Sequence, residues 1–184
     1  MKELSLNILD ITENSVKACA TLTKINILET DNDLVLKIID NGYGMTKEIL
    51  NSVTNPFTTT RTTRKVGMGI PLLKLAAEQT GGEVVITSKH ESEFPDSHGT
   101  VVKAVFHKNH IDFTPLGDVV STITTLIQGH PDTDFLFIHQ IGENQVMLDT
   151  RELRETLEGI PLNTYEVIKW IEEYLKEQYS EVLK

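Results

Sequence analysis

The sequence is most informative at first through what it lacks. It contains one cysteine, Cys19, among 184 residues, which excludes an intrachain disulfide and a cysteine-based zinc site. It contains no run of about 18 apolar residues, so we expect no membrane-spanning helix. Basic residues are also scarce, because 17 lysines and arginines stand against 27 acids, for a formal net charge of −10. Such a chain is unsuited to non-specific binding of nucleic acid or of an anionic membrane surface.

What remains is typical of a folded, water-soluble chain. Hydrophobic residues make up 39% of the sequence and charged residues 24%, which is ordinary for a globular protein. The opening residues, MKELSLNILDITENS, are polar and acidic where a signal peptide would be apolar. We therefore expect a cytoplasmic protein that binds neither nucleic acid nor membrane.

Charge is unevenly distributed along the chain. Residues 1–110 carry 13 acids and 12 bases, a net charge of −1, whereas residues 111–184 carry 14 acids and five bases, a net charge of −9. The change falls just before Pro115 and Gly117, residues that favour a turn. The sequence therefore predicts two units, residues 1–110 and an acidic C-terminal module over residues 111–184.

Hydrophobic periodicity predicts a mixture of helices and strands. In the first unit the pattern predicts helices over 3–20, 46–53 and 69–80, strands over 24–29, 34–40, 84–88 and 100–107, and a loop over 54–68. In the second unit it predicts a helix up to residue 127, a hairpin over 135–148, and two further helices. Cys19 is expected as a small buried group on the first helix, and His139 as a hairpin side chain that faces a partner or solvent.

Two short stretches carry polar residues that could contact a ligand, and the second of them also contains glycines. Asp10 and Asn14 are four residues apart, so they project from one face of the first helix and could address a water molecule and a divalent cation. Asp40 follows a strand and precedes Gly42 and Gly44, whose missing side chains allow a flat ligand to approach the backbone. Taken singly, these stretches are also compatible with a solvated helix face and a simple turn.

A third stretch, NPFTTTRTTRKVGMGIPLL, places cations on a hydroxyl-rich loop just before a helix. Free N–H groups and the helix dipole at a helix N-terminus attract phosphate, and Gly67 and Gly69 permit close approach. The charges of Arg61, Arg64 and Lys65 would strengthen that attraction. The alternative is a solvated surface loop.

Taken in order, ILDITENSVKA, DNGYGM, NPFTTTR…VGMGIPLLKLAAEQTGG and HGTVVKAVF resemble the motifs of the GHKL superfamily. This superfamily comprises gyrase-type ATPases, heat-shock chaperones of the ninety-kilodalton class, histidine kinases and mismatch-repair clamps. The resemblance covers about residues 3–108 and is nearest to stand-alone histidine-kinase catalytic domains or anti-sigma serine kinases. It implies an α+β fold, a two-layer α/β sandwich of the Bergerat type, here with a small C-terminal α-β-β-α-α extension.

The resemblance also implies a role for each motif residue. It implies that Asp10 is the general base, that Asn14 holds Mg²⁺, and that Asp40 accepts a hydrogen bond from the adenine amino group. The other residues implied to contact the nucleotide lie in the glycine turn, in a mobile lid and in the last strand: Gly42, Gly44, Met45, Phe57, Arg61, Arg64, Lys65, Gly67, Met68, Gly69 and Thr100. The expected ligands are ATP and Mg²⁺.

Three functions are compatible with these features. The first is an ATP-dependent protein kinase that lacks its own phosphoacceptor histidine domain and phosphorylates or regulates a separate protein in signal transduction. The second is a non-catalytic switch in which ATP changes what the protein binds. The third is a slow ATPase that acts as a dimer. In each, the acidic module over residues 111–184 is expected to serve docking or dimerisation, and homodimer formation is left open.

Overall fold

The structure, a computed structural model, describes residues 3–54 and 68–182. Its helices are α1 (Leu4–Lys17), α2 (Lys47–Thr54), α3 (Gly69–Gln79), α4 (Val119–Gly129), α5 (Thr150–Leu157) and α6 (Tyr165–Val182). Its strands are β1 (Leu22–Glu29), β2 (Asp33–Asp40), β3 (Glu83–Lys89), β4 (Gly99–His107), β5 (Asp134–Ile141) and β6 (Asn144–Asp149). The predicted elements are confirmed, and they occur in the predicted order.

The first helix ends earlier than its hydrophobic pattern predicts. Ala18 follows α1, and Cys19 has a φ of +58°, a left-handed conformation that a helix cannot continue through. Cys19 is exposed. The expectation that it is buried on the helix is therefore wrong, because the backbone turns away from the core one residue before it.

All six strands belong to one sheet, in the order β3-β4-β2-β1-β5-β6. β1 and β5 are parallel, and every other neighbouring pair is antiparallel. Parallel neighbours need a crossover connection, and the chain between β4 and β5 supplies it with α4, which packs against α1. A mixed sheet with segregated helices confirms the α+β class.

Burial alternates along the strands in the way that a half-covered sheet requires. Ile25 and Ile27 of β1 are buried, as are the alternate residues Leu34, Leu36 and Ile38 of β2. Against this face lie α1, which contacts β1 and β2, and α3, which contacts β3 and β4. The helix layer contacts β2 and β4, and the motif residues Asp40 and Thr100 pair with each other across these two strands.

The charge boundary at residue 110 does not coincide with a break in the sheet. β5 pairs with β1 along its whole length, from Asp134 beside Leu22 to Ile141 beside Glu29. One hydrophobic core unites residues of both segments, including Ile25 and Phe137. The acidic segment thus completes the sheet of the first, and its separate role in function stays a prediction.

His139 lies in a polar network that joins the two segments. Its side chain is 2% exposed, with Nδ1 2.8 Å from the Tyr179 hydroxyl and Nε2 3.3 Å from a Glu29 carboxylate oxygen. The other Glu29 oxygen accepts from the Lys108 ammonium at 2.7 Å. Since ionised Glu29 only accepts, His139 Nε2 carries the proton and the Tyr179 hydroxyl donates to Nδ1. The expectation that His139 faces solvent or a partner is therefore wrong.

We expect a chain that ends at residue 110 to lose cooperative folding. Without β5, the backbone edge of β1 and the apolar surface shared with the second segment would be exposed to water. Solubility and thermal unfolding of the shortened chain, compared with the full chain, measure this. A soluble short chain that unfolds cooperatively at the same temperature would show instead that the two units fold independently.

Acid should destabilise the protein through His139. Burial lowers the pKa of His139 below its ordinary value. The neighbouring Glu29 carboxylate raises this pKa, but by less than burial lowers it. The unfolded chain takes up a proton near pH 6.5 while folded His139 stays neutral, so stability is complete above about pH 6.5 and falls as the pH drops below it. Between about pH 7.5 and 5.5, His139→Gln should flatten the pH dependence of the unfolding free energy.

The matched control is His110→Gln, which changes an exposed histidine and should leave that pH dependence unaltered. Equal acid sensitivity of the unmodified protein and of His139→Gln, measured by denaturant titration, would contradict a role for His139.

Candidate functional site

The Asp40 carboxylate, at the end of β2, is held by three parts of the chain. One oxygen accepts from the backbone N–H of Gly42 at 2.9 Å and from that of Thr100 at 3.2 Å. The other accepts from the Ser15 hydroxyl on α1 at 2.8 Å. The orientation of the carboxylate is therefore fixed before any ligand binds.

These hydrogen bonds leave Asp40 with unused acceptor capacity. An ionised carboxylate offers about four acceptor positions, of which three are occupied here. Among the described residues, the position left free is on the oxygen that Ser15 contacts. Asp40 can thus accept one further hydrogen bond from a donor placed in the adjoining cleft.

The glycines after Asp40 are required by close backbone contacts. A Cβ at Gly42 would lie 2.6 Å from the carbonyl oxygen of Ala18, and one at Gly44 would lie 2.0 Å from that of Lys89. Gly44 also has a φ of +71°, which residues with a side chain rarely adopt. The turn therefore packs closely on Ala18, just after α1, and on β3, and the approach of a flat ligand to these glycines stays a prediction.

A cleft of about 260 Å³ opens beside this turn. Its wall is mainly apolar, with Ile11, Val53 and Ile70 among its residues. The predicted site residues that line it are Asn14, Asp40, Gly44, Met45 and Thr100. The structure thus brings together motifs that are far apart in the sequence, in a shape suited to a flat ligand with one polar edge.

Three further predicted site residues, Asp10 on α1 and Met68 and Gly69 at the start of α3, do not line the described part of the cleft, although Asp10 and Gly69 directly precede its wall residues Ile11 and Ile70. Gly69 packs so closely on α1 that a Cβ there would come 3.0 Å from the Cβ of Asp10. Asp10 and Met68 are exposed. Among the described residues, the Met68 side chain makes no capping hydrogen bond to α3, and the first N–H groups of a helix favour an anion.

Five predicted site residues fall outside the described parts of the chain. They are Phe57, Arg61, Arg64, Lys65 and Gly67. The predicted lid, and the roles assigned to these residues, stay predictions.

Asn14 suits a magnesium ion. It lines the cleft one helical turn from Asp10, and within residues 3–54 and 68–182 no hydrogen bond occupies its side-chain amide. Mg²⁺ is usually held by one or two protein oxygens together with phosphate oxygens and water. A cation between Asn14 and a bound phosphate would fit that preference, and the Asn14 assignment stays a prediction.

Three residues that support the site were missed by sequence reasoning. The Ser15 hydroxyl donates to Asp40. The Ser88 hydroxyl accepts from the N–H of Met45 at 2.8 Å and lies 2.9 Å from the Thr100 hydroxyl. His98 Nδ1 lies 2.6 Å from the carbonyl oxygen of Gly42. Ser15 had a signal, since a serine on the buried side of an amphipathic helix needs a partner. Nothing in the sequence pattern singles out His98.

Comparison with known proteins agrees with this geometry. Residues 2–110 match the family of histidine kinase-, DNA gyrase B-, and HSP90-like ATPases, and because the match spans more than half of the chain, the chain belongs to this family. The resemblance stated from the motifs is thereby confirmed. Domains of this family bind ATP or ADP.

Similar proteins include two kinds: a relative matched by sequence, and proteins of known structure. A candidate sensor protein of Shewanella frigidimarina (strain NCIMB 400) is 31% identical over 91 residues, which cover 47% of this chain but 14% of the relative. The chain thus spans a small part of that relative's length.

Solved structures give the second group. The MutL ATPase domain of Aquifex aeolicus complexed with ADP is 14% identical, with a TM-score of 0.57 over 86% of this chain and 70% of that one. The N-terminal domain of a DNA repair protein is also 14% identical, with a TM-score of 0.53 over 81% of this chain and 53% of that one. These likenesses show a shared fold. No helix in the described ranges is long and apolar enough to cross a bilayer.

Replacing Asp40 should weaken ATP binding selectively. In Asp40→Asn an N–H₂ group takes the place of one oxygen, so the free acceptor becomes a donor that opposes the adenine amino group. We expect a loss of about 1–3 kcal/mol, which is roughly a 5- to 150-fold increase in Kd measured by calorimetry. The unmodified protein should prefer ATP to GTP, because guanine carries a carbonyl where adenine carries the amine.

The matched control is Asp31→Asn, the same chemical change on an exposed residue of the turn between β1 and β2. It should leave ATP affinity unaltered. Equal affinities for ATP and GTP, or equal losses in the two variants, would contradict the role of Asp40.

Proposed function

We propose that the chain binds ATP with Mg²⁺ and acts as a histidine kinase-like protein that phosphorylates or regulates a separate protein. The observation that carries this proposal is the fixed Asp40 carboxylate, which keeps one free acceptor at a cleft that Asn14 also lines. Membership of the family supports ATP as the ligand. The position of the Asp40 carboxylate in the cleft supports the orientation proposed for that ATP.

The adenine would lie on the glycine turn. Its amino group would donate to Asp40, while its faces would contact the apolar wall that includes Met45 and Ile70. Gly44 lines the cleft at that point. The Thr100 hydroxyl, which is 2.9 Å from that of Ser88, would be held beside the ring.

The phosphates would extend towards the start of α3. The cleft includes Ile70 in the first turn of α3, where N–H groups favour an anion. Asn14 would hold Mg²⁺ against the phosphate oxygens, and the ion would neutralise charge that develops during phosphoryl transfer. The predicted lid cations Arg61, Arg64 and Lys65 would add to that neutralisation.

Asp10 would act as the general base. It lies one turn from Asn14 on α1 and beside Gly69 at the start of α3, so it is close to where a terminal phosphate would lie. Its exposure leaves room for an incoming hydroxyl group of a partner. As the hydroxyl oxygen bonds to the γ-phosphorus, its proton passes to Asp10, the bond to the β-phosphate oxygen breaks, and ADP leaves.

A signalling role is supported by similarity to part of a candidate sensor protein. The acidic segment over residues 111–184 would recognise the partner or pair with a second copy. In this proposal the protein is cytoplasmic and contacts neither nucleic acid nor membrane, as its net charge of −10 favours.

Incubation with γ-labelled ATP, alone and with cell lysate, tests the proposal. We expect label on a protein other than the chain itself, and no label when a chelator removes Mg²⁺. Asp10→Asn should reduce the labelling rate by about 10²-fold or more while ATP affinity stays within about twofold, because a general base acts in the transfer step rather than in nucleotide binding. Asp31→Asn again serves as the matched control.

Two other results would replace the proposal. Release of free phosphate without labelled protein would indicate an ATPase, and its dependence on protein concentration would test the dimeric form. Binding of ATP with neither label nor phosphate release would indicate the non-catalytic switch.

A further inference from the structure

An apolar groove of about 590 Å³ lies between α5 and α6, within the acidic segment and outside the nucleotide cleft. Its floor and walls are formed mainly by Leu153, Leu157, Ile160, Val167 and Trp170. A smaller cavity of about 200 Å³ continues the groove and shares Leu153 and Trp170 with it. The larger cavity is apolar and the smaller one is partly polar, and the two together are here called the α5–α6 groove.

The fold leaves the groove open. α5 packs against β5, whereas α6 packs against β6 and α4, so the two helices are supported by different strands of the sheet. The connection between them, residues 158–164, begins with positive φ at Glu158 (+46°) and Gly159 (+99°). This connection ends α5 abruptly and presents Ile160 at the mouth of the groove.

Large apolar side chains are exposed at the groove. Ile160 is 53% exposed, Trp170 is 48% exposed and Tyr174, in the smaller cavity, is 37% exposed. The Trp170 and Tyr174 rings are stacked, with centroids 4.9 Å apart, so they form a rigid aromatic surface. Exposed tryptophan and tyrosine beside a pocket are typical of the residues that dominate protein–protein binding energy.

Among the described residues, the ionisable side chains that line the groove are all acidic. Glu166 lines the larger cavity, and Asp149 and Glu152 line the smaller one. Asp149 is paired with Arg151, but within the described ranges neither Glu152 nor Glu166 has an ion-pair partner. The other basic residues of α5 and α6 in those ranges are each paired with an acid: Arg154 with Asp134, Lys169 with Glu173, and Lys176 with Glu172. The groove therefore favours a cationic ligand.

This charge pattern argues against a second copy of the chain as the occupant. Two copies that met at the α5–α6 groove would bring Glu152 and Glu166 against the same acids, within segments that each carry a net charge of −9. Like charges brought together at an interface are unfavourable. A different chain with positive charge avoids that cost.

We propose that the α5–α6 groove docks an amphipathic helix of a partner protein. The apolar face of that helix would enter the groove and cover Ile160 and Trp170, and its lysine or arginine side chains would meet Glu152 and Glu166. An apolar groove between two helices with acidic residues at its ends suits this helix-in-groove mode of recognition. The inference deepens the proposed function and rests on it in one respect, namely that the protein acts on a separate partner.

Trp170 makes the proposal directly measurable, because it is the one tryptophan of the chain. The probe is a peptide of about 16 residues made of leucine, lysine and alanine, with leucines at i, i+3, i+4 and i+7. It is added to the full-length protein without nucleotide. We expect saturable binding that shifts Trp170 emission to shorter wavelength, and no shift with a peptide of the same composition in scrambled order.

Variants separate docking from general attraction to an acidic protein. Ile160→Ser should weaken peptide binding about tenfold, and Glu166→Lys about fivefold at low salt. The matched control, Glu181→Lys, makes the same charge change on α6 away from both cavities and should alter affinity less than twofold. ATP titration of each variant should give unchanged affinity.

Three results would overturn the proposal. The first is that the peptide causes no shift in Trp170 emission, and the second is that Glu166→Lys and Glu181→Lys weaken peptide binding equally. The third is concentration-dependent self-association of the protein that Ile160→Ser abolishes, which would assign the groove to a second copy. Because the peptide assay contains no nucleotide, its failure is distinct from failure of ATP binding or of protein labelling.

Discussion

The Asp40 carboxylate ties together α1, the turn after β2 and the start of β4. Three donors from these elements satisfy most of its acceptor positions, so a fold that separated them would leave a partly buried charge without its hydrogen bonds. The contact that stabilises this corner of the sheet is therefore the same contact that orients the carboxylate towards the cleft. In the proposed function, stability and nucleotide recognition would depend on this one side chain. The glycines beside it, Gly42 and Gly44, are required because the backbone passes so closely.

The acidic segment illustrates that charge and packing carry separate information. Net charge describes surfaces, and on that basis residues 111–184 differ from the rest of the chain. Apolar alternation describes pairing, and Phe135 and Phe137 of β5 are buried in the core shared with β1. The buried network of Glu29, His139 and Tyr179 adds a polar connection across the same junction. Residues 111–184 thus complete the sheet and also present the α5–α6 groove, which combines apolar lining residues with acidic ones.

Much of this architecture was predictable because it is local. Alternation defined the strands, and Asp40 with its glycines defined the turn at the end of β2. What escaped prediction depends on residues far apart in the sequence. Nothing local shows that Ser15 reaches Asp40 or that His98 reaches the Gly42 carbonyl. His139 was misassigned for the same reason, since a histidine in an apolar strand has the same pattern whether it faces solvent or the partly buried Tyr179.

The central claim is that Asp40 receives the adenine of ATP while Asn14 and the start of α3 face its phosphates. A crystal structure of the protein with Mg²⁺ and a non-hydrolysable ATP analogue tests this most directly. The account predicts the adenine amino group within hydrogen-bond distance of the Asp40 oxygen that Ser15 also contacts, with Mg²⁺ between Asn14 and the phosphates. An analogue bound away from this cleft, or bound in it with the base turned from Asp40, would contradict the account.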